Sequence, residues 1–453
     1  NYNLINEPSN GNSSIEILKG DIFRAYYHDH KDDWGNESLV KASAYFAHTI
    51  MNGQIIEEDT TWIVEKSPYL ILGDINFSED VELTVEAGVE LLFVPDRDDS
   101  SNGYDWDRTE IVVSGLLNLK GEEAAQVELK SIRGGERFDD WGGVYLSNTG
   151  SIVMNYAALY NSAFGIYSEQ YNSGLVFNVN NSKFAYSKAG ISFSSYCECD
   201  VEITNSSFTY ISNAFMSGYA DGISLSFSDN KVSNVGQSDI YYMKNVTFSN
   251  NVFSNARRLD MDSIQGNINI IDNVLHNIEG ISLELMHYVD NDIELVIDGN
   301  SISGKGQYGL QIRTHNISYA SIDIVNNTLS GFGLKYDYGY DEQYYEGAGL
   351  YFYASEEQTA NVSHNTFINN IGNGAIFDGS VRPTFTKNAV VNNGRGITFS
   401  NYNDQDTTSF HVTENTISGN KSDGVAIGGY SQPTINNNDI ADNSDYAINN
   451  TSE

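Results

Sequence analysis

Apolar and polar residues exchange places at every second position over runs of three to five residues, and Gly and Asn turns separate the runs. Gly190-Ile191-Ser192-Phe193, Gly222-Ile223-Ser224-Leu225, Gly280-Ile281-Ser282-Leu283, Gly309-Leu310-Gln311-Ile312 and Gly396-Ile397-Thr398-Phe399 are examples. Period-two alternation buries one side of a strand and leaves the other to solvent. Strands this short cannot close a core alone, so they must stack against further copies of themselves.

A second element recurs between them. Asn-x-apolar appears at Asn230-Lys231-Val232, Asn251-Val252-Phe253, Asn273-Val274-Leu275, Asn300-Ser301-Ile302, Asn327-Thr328-Leu329, Asn365-Thr366-Phe367, Asn388-Ala389-Val390, Asn415-Thr416-Ile417 and Asn438-Asp439-Ile440. Asn205-Ser206-Ser207-Phe208 reads as a one-residue-longer version. Successive Asn residues lie 21 to 38 positions apart, which is a repeat carrying loop insertions. The pattern predicts an all-β parallel solenoid over residues 60–453, of about 16 coils and on the order of 75 Å long. Asn at the same turn of every coil would stack into an inward ladder of side-chain amides.

The ends read differently. Residues 1–59 form a separate N-terminal segment, in which Asn36 can cap a helix from Glu37 to Met51, with Leu39, Phe46 and Ile50 on one side and Asn52-Gly53 as its stop. Such a helix would plug the solenoid. At the other end Tyr446-Ala447-Ile448 reads as one more core strand with no cap after it. An uncovered coil invites strand addition, so contact with other copies of the chain through its ends is expected.

Charge narrows the partners. Against 24 Lys+Arg stand 61 Asp+Glu, a net charge of −37, which excludes a basic nucleic-acid binder. No apolar run approaches the roughly 20 residues of a membrane helix. The two cysteines, Cys197 and Cys199, cannot build a disulfide framework and are expected as a free pair, with a strained local disulfide as the alternative. A first residue that is Asn rather than Met reads as a processed chain, and the acidic, Cys-poor composition suits an extracellular or cell-surface setting.

Trp62 with Pro68-Tyr69, Leu83-Thr84-Val85-Glu86-Ala87-Gly88-Val89, Gly115-Leu116-Leu117 and Trp141-Gly142-Gly143-Val144 resemble the opening coils of secreted right-handed parallel β-helix repeat proteins, the pectate-lyase-like superfamily fold. The resemblance implies a single-stranded right-handed parallel β-helix with a short N-terminal helical cap. It specifies function poorly, because the family holds polysaccharide lyases and hydrolases, phage tailspikes and adhesins.

The clearest ligand motif runs from Asp98 to Asp107. Asp98, Ser100, Asn102 and Gly103 fall at positions 1, 3, 5 and 6 of a calcium loop, and Asp105 and Asp107 are further oxygen donors. Position 12 is Thr109 rather than a bidentate Glu, with Asp105, Asp107 or Glu110 available to substitute. His28-Asp29-His30 with Asp32-Asp33 is not a defined metal signature. On the outward side of the mid-rod strands, Asp260 and Asp262, Ser282 and Glu284, Gln311 and Arg313, Tyr351 and Tyr353, then Asp378 form a column. Glu284, Arg313, Tyr353 and the adjacent His315 could deliver general acid and base groups to a sugar ring. An insertion around Tyr338, Tyr340, Tyr344 and Tyr345 could add carbohydrate-binding aromatic platforms. The Gly-His-Gly, Arg-Ile-Lys and Asp-Pro-His-Asp motifs of the resembled family's best-known enzymes are absent.

These readings favour an extracellular structural or adhesive rod, assisted by calcium and able to join end to end or to hold an extracellular glycan. A polysaccharide lyase or glycoside hydrolase with a mid-rod active site is the alternative, and a tailspike-like receptor binder the third.

Overall fold

A computed structural model describes residues 22–29, 38–45 and 49–452, apart from 170, 172–175, 197, 287–292, 318–319, 338–342 and 402–408; for residues 22–45, 335–337 and 343–345 it describes the backbone alone. The chain winds into a parallel β-solenoid of about 15 turns. Through most of the rod each strand pairs with the strand three places later in the chain, so a turn contributes to three parallel columns. Asp200–Thr204, for instance, lies between Phe177–Asn180 and Ser224–Ser228, with Val201 opposite Phe177 and Leu225.

Alternation decides the packing. In Ser224–Ser228 the apolar Leu225 and Phe227 are buried and the serines are partly exposed. Inward residues of one coil meet inward residues of the next. Phe184 and Phe208 stack with centroids 4.8 Å apart and planes 1° from parallel, and Phe227 packs on Phe248 at 5.0 Å. Trp141 closes on Phe93 at 3.9 Å near the start of the rod. Each such side chain contributes about 1.5–3 kcal/mol of burial.

The turns explain the Asn repeat. Each ladder residue follows a residue with positive φ, as in Asp229, Asn250, Asp272, Gly299, Asn326 and His364. That conformation directs the next side chain inward, where its amide replaces missing backbone partners. Asn300 Nδ2 donates to the carbonyls of Ile270 at 2.7 Å and Asp298 at 3.0 Å and to Asn327 Oδ1 at 2.9 Å; its own Oδ1 accepts from Asn273 N at 2.9 Å and Asn273 Nδ2 at 3.0 Å. The ladder runs from Asn230 to Asn438. A second ladder, Asn370 to Asn443, occupies another corner. Asn205 is not a rung: it is the positive-φ residue, and the buried Ser206 holds the rung position, its Oγ accepting from Ser182 N at 3.0 Å.

The expected capping helix is replaced by strands. Ser38–Tyr45 pairs antiparallel with Ile22–Asp29, and Thr49–Ile56 pairs parallel with Tyr69–Phe77 as part of the rod. The β-branched Val40, Thr49 and Ile50 favour extended backbone over a helix. Among the described residues the sole helical piece is the short 3₁₀ turn Val64–Lys66, and none is long and apolar enough to cross a membrane. Cys199 is disulfide-bonded, so the cysteines are not the expected free pair. At the last coil Tyr446 precedes the strand Ile448–Ser452 and is 64% exposed, not a core residue.

Candidate functional site

Strand register assembles the mid-rod column as the alternation predicted. Asp260, Ser282, Gln311 and Tyr351 stand opposite one another on four successive coils. Two residues further along each strand come Asp262, Glu284, Arg313, Tyr353 and Asp378. A cleft of about 740 Å³ runs from these columns over the turns that lead into their strands, and its walls include Asp260, Asp262, Glu284, Arg313, Tyr241 and Tyr308.

The cleft holds opposed charges. Arg258 Nε lies 2.6 Å from Asp260 Oδ1, and Gln237 Nε2 donates to Asp260 Oδ2 at 2.9 Å. Burial pushes the Asp260 carboxyl above its ordinary range, Arg258 draws it back and the nearby Asp239 adds to the rise. With its amide oxygen turned toward the guanidinium, Gln311 accepts from Arg313 Nε at 3.0 Å and from its second terminal nitrogen at 2.8 Å. This fixes Arg313 across the wall facing Glu284.

All four residues expected to carry chemistry come together. Glu284 and Arg313 line the cleft. His315 Nε2 lies 3.6 Å from Glu284 Oε1, and its ring centroid is 5.7 Å from that of Tyr353, so these two adjoin the cleft without lining it. Tyr351 donates its hydroxyl to Asp378 Oδ2 at 3.3 Å, and burial beside that carboxylate raises the phenol. The Tyr-rich insertion leaves the rod as an antiparallel ribbon, Leu334–Asp337 against Gln343–Glu346. Its base meets the cleft where Gln307 Nε2 donates to Glu346 Oε1 at 2.9 Å. Tyr344 and Tyr345 lie on that ribbon, opposite Tyr336 and Lys335; Tyr338 and Tyr340 lie outside the described residues, as do His30, Asp32 and Asp33 of the first His-Asp run. Sequence reading passed over Arg258, Tyr308 and Lys305, which border the cleft from strand ends and turns where alternation gives no signal.

The loop Asp98–Asp107 is organised by two carboxylates from the rod. Buried Asp74 accepts from the backbone of Asn102 at 2.8 Å, Gly103 at 2.6 Å and Glu110 at 2.8 Å, and from Ser100 Oγ at 3.3 Å. Glu110 Oε2 accepts from the backbone of Tyr104 at 2.5 Å and Asp105 at 3.0 Å. A Cβ on Gly103 would lie 2.3 Å from Glu110 Oε2, so only Gly lets the loop reach both acids. Burial raises Asp74, with Asp98 adding to it, and pushes Glu110 up to about 7 against the pull of its two N–H donors.

Of the five residues expected to hold calcium, Asp98 accepts from Ser100 N at 3.0 Å and Ser100 Oγ at 3.1 Å, while its Oδ2 is buried without a hydrogen-bond partner. Asn102 contributes its backbone N–H to Asp74. Asp105 is turned to Arg108 at 2.6 Å and accepts from Asp107 N at 3.0 Å. Among the described residues no three His, Cys, Asp or Glu side chains gather as a metal centre would. An Asp inside the apolar run Tyr69-Leu70-Ile71-Leu72-Gly73-Asp74-Ile75 was the available signal for the loop's real organiser.

Fold and cleft define a parallel β-solenoid with a charged outward groove. The sequence profile of the right handed beta helix region matches residues 216–390 and 348–453, more than half of the chain, and the chain belongs to that family. Comparison with curated proteins gave no match. Among solved structures the chain is similar to the catalytic domain of a GH87 alpha-1,3-glucanase in complex with nigerose, at 12% identity and a TM-score of 0.22, and to its D1045A form, at 11% identity and 0.20. Each likeness covers 89% of this chain and 62% of the other, so the chain spans less than two thirds of those structures.

Proposed function

We propose that the chain is an extracellular, glycan-binding β-helical rod, an adhesive or structural protein that lays a neutral polysaccharide against the outward face of its mid-rod sheet. The cleft of about 740 Å³ that Asp260, Glu284 and Arg313 line carries this reading. Its carboxylates accept from sugar hydroxyls, Arg313 donates to ring and hydroxyl oxygens, and the Tyr241 and Tyr308 rings offer apolar surface to C–H faces. A net charge of −37 repels uronates and sulfated chains. Neutral polymers meet no such barrier.

One observation favours a second reading, hydrolysis. Burial raises the Asp260 carboxyl above its ordinary range and Glu284 stands on the next coil, and glycoside hydrolysis uses two carboxyls on one face. A panel of neutral glucans, mannans and xylans, scored both for retention of the protein and for new reducing ends, tests the two together. Retention without cleavage, weakened by Arg313→Ala, is the expected result. Retention of no glycan at all would sink the reading, and cleavage abolished by Asp260→Asn would replace binding with catalysis.

A further inference from the structure

A second cavity, of about 570 Å³, lies toward the N-terminal end of the rod, between the Asp98–Asp107 loop and the strands Gly143–Leu146 and Phe164–Ser168. It is aromatic. Trp106 is 80% exposed at its mouth and Tyr104 is 55% exposed. Tyr104 stacks on Tyr145 at 3.5 Å, and Tyr145 on Tyr167 at 4.9 Å. The floor is acidic: Glu110, 6% exposed, has both of its side-chain hydrogen bonds on Oε2, and Oε1 takes none among the described residues. Among the described residues no Lys, Arg or His is part of the cavity's walls.

A flat, open indole beside a carboxylate acceptor and without cations suits the C–H face and hydroxyls of a neutral sugar ring. It offers nothing to an anionic one. Such exposure of Trp is otherwise unfavourable on a soluble surface, and here the loop that carries it is anchored on two buried acids rather than left free.

The cavity and the mid-rod cleft are joined by a path. Glu169 takes the hydroxyl of Tyr145 on one side and that of Tyr171 at 3.3 Å on the other. From Tyr171 the rings of Tyr196, Tyr219 and Tyr242 follow on successive coils, at 5.6, 5.0 and 4.6 Å. Tyr241, the next residue back along the chain, already borders the cleft. In strand register Tyr145, Tyr167, Ser192, Ser217, Asp239 and Asp260 form one unbroken column. Its five steps span about 24 Å at the usual strand spacing.

We infer that the Trp106 cavity is a second saccharide subsite, and that a single neutral glycan chain lies along the rod axis from this cavity, over the Tyr171–Tyr242 ladder, into the mid-rod cleft. The inference rests on the glycan reading above and adds to it a polymer direction and a minimum length. A chain must hold on the order of six sugar units to touch both ends of the track. Two tethered contacts raise affinity steeply once the span is met.

Calorimetric titration with gluco-, manno- and xylo-oligosaccharides of graded length, from about two to ten units, tests it. For the series that binds, affinity is expected to rise more than tenfold as length passes about six units. Trp106→Ala should erase that rise while leaving short-chain binding in the cleft intact, and Trp106→Phe should restore part of it. Arg313→Ala should weaken short and long chains alike. If affinity is flat beyond two or three units, or if Trp106→Ala binds long chains as the parent does, the axial track is wrong and the cleft reading survives. If the parent binds no series, both fall. Trp106 is exposed, so an unchanged melting curve will separate lost binding from lost fold.

Discussion

The inside corner of the rod and its outward mid-rod column are built on the same coils and obey opposite rules. Inside, Asn273, Asn300 and Asn327 repeat one residue type, because each amide must satisfy the same carbonyl and N–H groups presented by an identical turn. Outside, the matching coils place Asp260, Ser282, Gln311 and Tyr351 in register, four different chemistries on four coils. An interior position meets the next coil and has one good answer. An outward position meets water or a ligand, so departure from repetition there marks where recognition is written.

The largest effect should come from breaking the inside. Asn300→Leu removes an amide that serves three acceptors and two donors, leaving the Asn273 N–H and the Ile270 carbonyl unpaired in the dry corner. A loss of about 2–4 kcal/mol is expected in chemical denaturation, with glycan affinity unchanged for the fraction that stays folded. A loss below about 1 kcal/mol would mean the ladder is ornament to a core that Phe and Ile stacking already holds.

Next comes the buried acid that ties the loop to the rod. Glu110 rises from 4.5 to about 7 on folding, so between those values the native state binds more protons than the unfolded chain. Stability from this group is therefore full below about pH 4.5 and declines as pH rises to about 7, by on the order of 3 kcal/mol. Glu110→Gln keeps an oxygen for the Tyr104 and Asp105 N–H groups and has no proton to lose. The difference between parent and variant should grow across that window and level off above it. Parallel pH profiles would show that the acid is ionised throughout.

On the outward column the expected change is in binding alone. Arg313→Ala and Glu284→Gln should each lower glycan affinity about threefold to tenfold while the melting midpoint stays within error, because the surface contacts they make, to Gln311 and to His315, contribute little to folding. A fall in stability equal to that of Asn300→Leu would erase the distinction between the two regions.

The same contrast sets what could be read from the chain. The Asn repeat and the alternating strands are local, and they fixed solenoid, ladder and outward column, including the meeting of Glu284, Arg313, Tyr353 and His315. One register slip was made at Asn205, where Ser206 fills the rung, because a hydroxyl can do part of the amide's work. The N-terminal segment was misread since Leu39, Phe46 and Ile50 fit a helix spacing that strand pairing overrode. The aromatic cavity was hidden for a different reason. Trp106 sits on a loop whose path is set by Asp74, some 30 residues away in the chain, and no local pattern encodes that.

That loop gives the smallest and sharpest test. Its oxygens are largely engaged by N–H groups and by Arg108, and the one buried atom left over is Asp98 Oδ2. A calcium ion arriving there gains one open carboxylate oxygen and must displace Ser100 or share Asp74 for the rest, where a tight site offers six or more oxygens. Binding is then expected only near millimolar concentration, and a ligand present at its dissociation constant stabilises by RT ln 2, about 0.4 kcal/mol. A melt in calcium should show a rise of that small size, absent with magnesium and absent in Asp98→Asn. A larger rise would mean that the loop rearranges around the ion and releases Asp105 from Arg108, and no rise at all would leave it a turn closed by its own N–H groups.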